Sequence, residues 1–228
     1  MIISKPNVGR EPVPDLSKLM ALSFLAGISG ALRAEEAVAV RLTLHRVMTR
    51  GPSAYLQQIC PYLPTSRFKE SDAGRIFSVD EGIMGEAYST CSIWRTKYYS
   101  SPDVFEGDLI SARMAVGESA DLPKARSWLA IPFIGQDGEP VMILFAESER
   151  FNFFSSDDIV HGIIDACNGF SEFLNLMNHD GPDIAKNYPL DKGIPAKGKK
   201  TVYRGIHEKI ANHQVKTRLA FRSYNFGG

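Results

Sequence analysis

The sequence predicts an α+β fold: a central antiparallel β-sheet with N- and C-terminal helices on one face and loops or short helices covering the other. Three observations carry this expectation. Two apolar runs, Trp128 to Ile134 and Val141 to Ala146, flank the turn Gln136-Asp137-Gly138-Glu139, the pattern of a tight hairpin of buried strands. Val38 to Met48 alternates, with Val38, Val40, Leu42 and Leu44 on one side and Arg41, Thr43 and His45 on the other, as a strand with one apolar and one polar face does. Long stripes of apolar residues at helical spacing stand on both sides of these strands in sequence. Hairpin-linked strands flanked by long helices pack most economically as two layers, with both helices behind the sheet.

Taken in order, residues 1–15 with Pro6, Pro12 and Pro14 read as a flexible leader. Asp15 caps a helix running to about Ala37, whose stripe holds Leu16, Leu19, Met20, Phe24, Ile28, Ala31 and Leu32. Leu22 and Leu25 lie off that stripe, so the helix is apolar on more than one face and is expected to pack on the sheet and on another helix, including one from a second subunit. After the alternating strand, Gly51-Pro52 turns the chain into a return strand over Tyr55 to Tyr62, and Gly74 to Val79 is a third strand. Gly82 and Gly85 mark a tight turn that opens a short helix ending near Ser89. Ile93 to Tyr98 reads as a short strand and Ser100 to Lys124 as a long loop without periodicity. Beyond the hairpin, Ser155 or Ser156 caps a helix that starts at Asp157-Asp158 and carries Ile159, Ile163, Ala166, Cys167, Phe170 and Leu174 to about Met177. The domain thus spans 16–177, followed by a Gly, Pro, Asp and Lys-rich linker at 178–200 and a basic C-terminal extension at 201–228. In that extension Val202 to Ile210 reads as a short helix, and Val215 to Phe221 as a strand with one basic face.

The chain has 228 residues and a formal net charge of zero, unevenly spread. Lys186 to Arg222 holds ten Lys or Arg against two acids, so the remaining chain carries 16 basic and 24 acidic residues. A basic tail on an acidic body either folds back on that body or meets an acidic partner. Cys60, Cys91 and Cys167 are odd in number and widely spaced, which excludes a disulfide framework and a sequence-local zinc motif. His207 and His213 miss the i, i+4 spacing that sets two metal ligands on one helix face, and no metal is expected. The apolar stretch Leu19 to Leu32 is too short to span a bilayer and sits too far along the chain for a signal peptide, so the expected location is cytoplasmic with no membrane contact. Gly227-Gly228 has the shape of a tail that a conjugating enzyme threads, although coincidence accounts for it as well.

From about residue 16 to 177 the motif order resembles the GAF domain family. The family's G-x-x-G turn after the third strand is matched by Gly82 and Gly85, and its S-x-x-x-x-P hairpin strand by Ser127 and Pro132. Its second hairpin strand is matched by Ile143-Leu144-Phe145-Ala146-Glu147-Ser148 after Gly138, and its F-x-x-x-D helix opening by Phe154 to Asp158. Met142 stands where the family usually has glycine. The G-x-x-G turn holds Ile83 and Met84 rather than the cysteine of the family's free-methionine-sulfoxide reductases. Cys91 alone cannot supply both an attacking and a resolving thiol. A Cys-His bilin site and the Asn-Lys pair of the cyclic-nucleotide branch are also missing from the sequence. The resemblance therefore implies a non-enzymatic, small-molecule-sensing regulatory module with an unidentified ligand and an unknown cofactor.

In the family, ligand lies over one sheet face beneath the loops between the third strand and the hairpin. Carried to this sequence, Arg41, Thr43 and His45 form the floor, Trp94, Arg95, Tyr98, Tyr99 and Phe105 supply stacking and charge from the loop, and Arg126 and Glu147 fix charge. Each has a plainer role: His45 as a hydrogen-bonded strand residue, Arg41 and Arg126 as paired surface charges, Glu147 as a solvated acid at a strand end, Tyr98-Tyr99 as loop closure. Trp128 is assigned to the core. The expected partners are the ligand, a protein that receives the signal, and a second copy through the terminal helices; nucleic acid is not expected. The competing function is a protein-interaction adaptor working through the basic tail, with a vestigial pocket.

Overall fold

Leu25 and Ile28 on the first long helix and Ile163 and Cys167 on the last are almost fully buried against the same side of one sheet. The computed structural model describes residues 9–10, 13, 15–37, 39–50, 53–63, 73–80, 82–114, 123–180 and 205–217. Its strands are β1 (Gly9–Arg10), β2 (Val40–Arg50), β3 (Ser53–Gln58), β4 (Arg75–Ser78), β5 (Trp94–Thr96), β6 (Ser127–Ile134), β7 (Pro140–Ser148), β8 (His207–Lys209) and β9 (Val215–Lys216). The helices are α1 (Asp15–Ala31), α2 (Ala34–Ala37), α3 (Gly82–Thr90), α4 (Pro102–Met114) and α5 (Asp157–Asp180). The strands run in the order β1-β4-β3-β2-β7-β6-β5-β8, all antiparallel, with β9 parallel to β6. The expected α+β architecture, a mostly antiparallel sheet with both long helices on one face, is the one found.

The sheet separates two apolar clusters. Behind it, α1 and α5 cover Leu42, Leu44, Leu129, Ile131 and Leu144. In front, α3 and α4 bring Tyr88, Phe105 and Leu109 onto Val47, Ala130, Ile143 and Phe145. Phe24 of α1 stacks on Phe170 of α5 at 4.0 Å between ring centroids, and both present ring edges to Phe133 of β6. Strands β6 and β7 are buried on both faces, which is why they read as continuous apolar runs. Pro132, which has no N–H to give, lies between Ala130, where β5 pairs with β6, and Phe133, where β9 takes over.

Several elements differ from expectation for identifiable reasons. The first helix stops at Ala31, because Glu36 accepts the Arg33 backbone N–H at 3.1 Å and the Arg33 Nε at 2.8 Å, which is the Glu half of a capping box at the start of a new helical turn. The segment expected to be a loop contains α4. Ser101 stands before it as a cap whose Oγ accepts the Val104 N–H at 3.4 Å, and Pro102 occupies the first helical position. Residues expected as a short helix in the extension instead form β8, since pairing with the open edge of β5 overrides local preference. Residues 9–10 of the expected leader pair with β4. Most of the linker, and the extension beyond Thr217 with Gly227-Gly228, lie outside the described residues.

The G-x-x-G turn has a direct physical account. Gly82 has φ of +65°, open to glycine without strain. At Gly85 a Cβ would stand 2.9 Å from the Val79 carbonyl oxygen, so only glycine lets α3 begin this close to the end of β4. No helix among the described residues is long and apolar enough to cross a membrane.

Candidate functional site

The register of the central strands sets one row of side chains across the front face. Arg41 of β2 opposes Glu147 of β7, which opposes Trp128 of β6. Thr96 of β5 gives its Oγ1 to the Trp128 backbone N–H at 2.9 Å, and β8 sets His207 opposite Thr96. The indole of Trp128 meets the His207 ring edge-on at 6.1 Å.

Glu147 is the acid of this row. It is expected as a solvated strand-end residue, yet only 8% of it is exposed. Burial raises its carboxyl above the usual range, and Arg41 opposes that rise from 2.8 Å. The Arg41 guanidinium, half in solvent, also lies 4.3 Å from the centre of the Tyr62 ring, so it is held by charge and by the aromatic face together.

Thr43 and His45 continue β2 beneath this pair, and both are buried. Thr43 donates from Oγ1 to the Cys60 carbonyl at 2.9 Å. His45 lies between the rings of Phe77 and Phe145, with centroids at 5.4 and 6.3 Å. Burial first, and then the positive charge of Arg75, push its imidazole down to about 3, so it is neutral. Two buried polar atoms of this face, His45 Nδ1 and Trp128 Nε1, have no hydrogen-bond partner among the described residues. Four residue steps along the strands and two strand spacings across separate the two residues, on the order of 16 Å, so one small ring cannot reach both.

Tyr99, Phe105 and Arg126 form the roof over Trp128. Phe105 of α4 packs against Tyr99, Trp128 and Phe151 with centroids 5.3 to 6.0 Å apart. Tyr99 donates its hydroxyl to Asp108 at 3.1 Å, and burial followed by that carboxylate raises the phenol. Arg126 is ion-paired with Glu106 of the same roof. Asn152, held at φ of +56°, ties the loop down by accepting the Tyr99 N–H at 3.1 Å and donating to the Tyr99 carbonyl at 2.7 Å.

The other loop candidates sit apart from this row. Arg95 points to the helix side, where it pairs with Asp157 at 2.6 Å and Glu208 at 2.8 Å. Trp94 donates its indole N–H to Thr90 Oγ1 at 2.8 Å, and Tyr98 is 68% exposed. The structure therefore gathers Arg41, Thr43, His45 and Glu147 on the floor and Tyr99, Phe105 and Arg126 above, sets Trp94 at the edge of the same front cluster, and leaves Arg95 and Tyr98 outside. Trp128 lies in the core as expected, 2% exposed within the front cluster, and Tyr62 joins the row without having been among the expected site residues. The indole N–H inside an otherwise apolar run was the available signal for Trp128.

A separate cleft of about 360 Å³ opens behind the sheet, where Ile28, Leu32 and Ile163 line its base and Arg33, Glu36 and Asp158 its rim. Cys60 and Cys167 are buried free thiols, and burial pushes the Cys60 thiol up to about 11.

The solved structure of a type II free methionine-R-sulfoxide reductase from Thermoplasma acidophilum resembles this chain with a TM-score of 0.42 and 16% identity, covering 67% of this chain and 90% of that one. No protein-family model and no curated protein matches the sequence.

Proposed function

We propose that this chain is a small-molecule-sensing regulatory module of the GAF type, whose ligand seats on the Arg41–Glu147–Trp128 row beneath α4. The observation that supports it is the Trp128 indole N–H, buried and unpartnered among the described residues beside a buried carboxylate. Buried polar groups are nearly always satisfied, and an orphan donor beside an acid of raised affinity for protons is suited to a ligand that accepts from one and donates to the other. Phe105, Phe151 and Tyr62 offer the flat apolar walls that such a ligand stacks against. The chain acts by binding, and the message passes to a protein partner through a shift of the α4 roof, which requires unequal affinity for two roof positions.

The test is a thermal-shift screen of the full chain against nucleotides, nucleobases, amino acids and organic acids, repeated on Trp128→Phe. A ligand of this row raises the melting temperature of the native chain and loses most of that effect when the N–H is removed. A panel without a single shift, or a shift that survives Trp128→Phe and Glu147→Gln unchanged, refutes the assignment.

A further inference from the structure

Residues 205–217 lie far along the chain from the strands they join, with positions 181–204 between them and α5. They hold the body through features of a bound extended peptide. β8 adds to the edge of β5 with Trp94, Arg95 and Thr96 opposite Lys209, Glu208 and His207. The backbone N–H of Lys97 donates to Ile206 O at 3.0 Å, and that of Ile210 to Ile93 O at 2.9 Å. β9 adds in parallel to the end of β6, and the Thr217 N–H donates to Ile134 O at 2.8 Å. Two aliphatic anchors sit on opposite sides of the sheet edge: Ile206 enters the front cluster and Val215 the rear one, each almost fully buried. A charged contact accompanies this pairing, Glu208 on Arg95 at 2.8 Å. Further ties are Ser171 Oγ to the Lys216 carbonyl at 2.6 Å, Thr217 Oγ1 to Asn175 at 3.0 Å, Gln214 Nε2 to the Cys91 carbonyl at 3.4 Å, and the His213 ring stacked on His161 at 4.8 Å.

We infer that the β5 edge is a peptide-docking edge, occupied here by the chain's own residues 205–217 and open to competition from a partner's extended segment. The partner it fits carries an aliphatic residue for the Ile206 position and an acid two places later for Arg95. Main-chain ladder bonds supply affinity that any strand can use, while the aliphatic seat and the arginine supply choice. An own segment on the edge also shields β5 from indiscriminate pairing, so the edge becomes available only to a sequence that displaces it. The inference does not depend on the ligand proposed above, although Trp128 touches both through His207. Both tryptophans of the chain meet this segment, Trp94 through β8 pairing and Trp128 through His207, so indole emission reports its departure.

The experiment uses the full chain carrying Ile206→Asp and Val215→Asp, which unseat both anchors, and a fluorescent synthetic peptide of residues 204–218. The variant is expected to bind the peptide at least 10-fold more tightly than the native chain does, and a Glu208→Lys peptide to bind at least 10-fold more weakly. In the native chain, hydrogen exchange of the Lys97, Ile210 and Thr217 amides is expected to be faster than that of the β6–β7 pair and concerted. A folded variant that ignores the peptide overturns the inference. So does a variant that cannot fold, or exchange at those three amides only on global unfolding, because the segment is then an inseparable part of the core.

Discussion

Two of the histidines are held neutral inside the fold, and this gives the chain a measurable acid weakness. Burial pushes His207 down to about 3, and burial with the Arg75 charge does the same to His45. In the unfolded chain an imidazole titrates near 6.5. Both pKa values are depressed on folding, so their stabilising contribution is complete above about pH 6.5 and is lost as pH falls toward 3. At pH 5 the unfolded chain gains about 2 kcal/mol from protonating His45, which the fully buried folded form refuses, and less from the half-buried His207, together a large share of a domain's usual 5–15 kcal/mol. Glu147 has the opposite sign, since its raised carboxyl favours the folded state as pH drops, and it softens the loss at the acid end. Asp157 and Glu36, whose carboxyls are lowered by Arg95 and Arg33, lose their contribution only further into acid.

The assay is urea denaturation at pH 7.5, 6.5, 5.5 and 5.0, followed by tryptophan emission and far-ultraviolet circular dichroism with a common slope. The native chain is expected to lose about 2–4 kcal/mol over this range. His45→Leu should remove the larger part of the pH dependence and His207→Phe a smaller part, whatever they do to absolute stability, and the double variant should be nearly flat. A loss below about 1 kcal/mol in the native chain, or a full loss in the double variant, would show that neither imidazole is sealed as described.

Three further outcomes follow from the packing. Gly85→Ala drives a methyl against the Val79 carbonyl and should cost about 1–3 kcal/mol, whereas Gly162→Ala in the open face of α5 should gain up to about 1 kcal/mol; thermal melts that fail to separate the two in sign contradict the close approach at α3. Phe133→Ala opens the contact among Phe24, Phe133 and Phe170 and should cost about 3–5 kcal/mol in chemical denaturation. Arg41→Gln removes the cation that opposes desolvation of Glu147, so the carboxyl should titrate higher still, seen as an upward shift in its carbon resonance titration; an unchanged midpoint would mean the ion pair is idle.

The parts of the fold legible in the sequence were those where the periodic signal and the burial pattern coincide. The β6–β7 hairpin was readable because both faces of both strands are buried, and α5 because its buried positions recur every three or four residues. α4 was not, since Phe105 and Leu109 are its only buried apolar residues and Arg113 completes the stripe. The Ser101-Pro102 start was the stronger cue there. β8 and β1 were illegible for a different reason: two- and three-residue strands have no period of their own and are defined by the edge they meet. At the site, alternation along β2 placed Arg41, Thr43 and His45 on one face, but it carried no information on how deeply that face is covered. Depth comes from α3 and α4 folding over it, which is a tertiary fact. The same limit hides the side to which Arg95 points, because a three-residue strand gives no reliable parity.

A covered face changes what a ligand there must do. Trp128 is only 2% exposed and Phe105 only 1%, so occupancy of the Arg41–Glu147–Trp128 row requires Phe105 to move. Returning one such ring to water costs about 1.5–3 kcal/mol, so the apparent affinity falls roughly 10- to 100-fold below the intrinsic one. The polar ties of the roof are few: Arg126–Glu106 is partly exposed and screened, Tyr99–Asp108 is a hydrogen bond to a carboxylate of about 1.5–3 kcal/mol, and Asn152 holds the Tyr99 backbone rather than α4 itself. The rear layer is costlier to disturb, because α1 and α5 are joined through the stacked Phe24 and Phe170 that also grip Phe133. The compliant element is thus α4, and on the proposed function it is the element whose position differs between free and bound chains. A ligand that leaves the aromatic resonances of Phe105 unmoved is binding somewhere else.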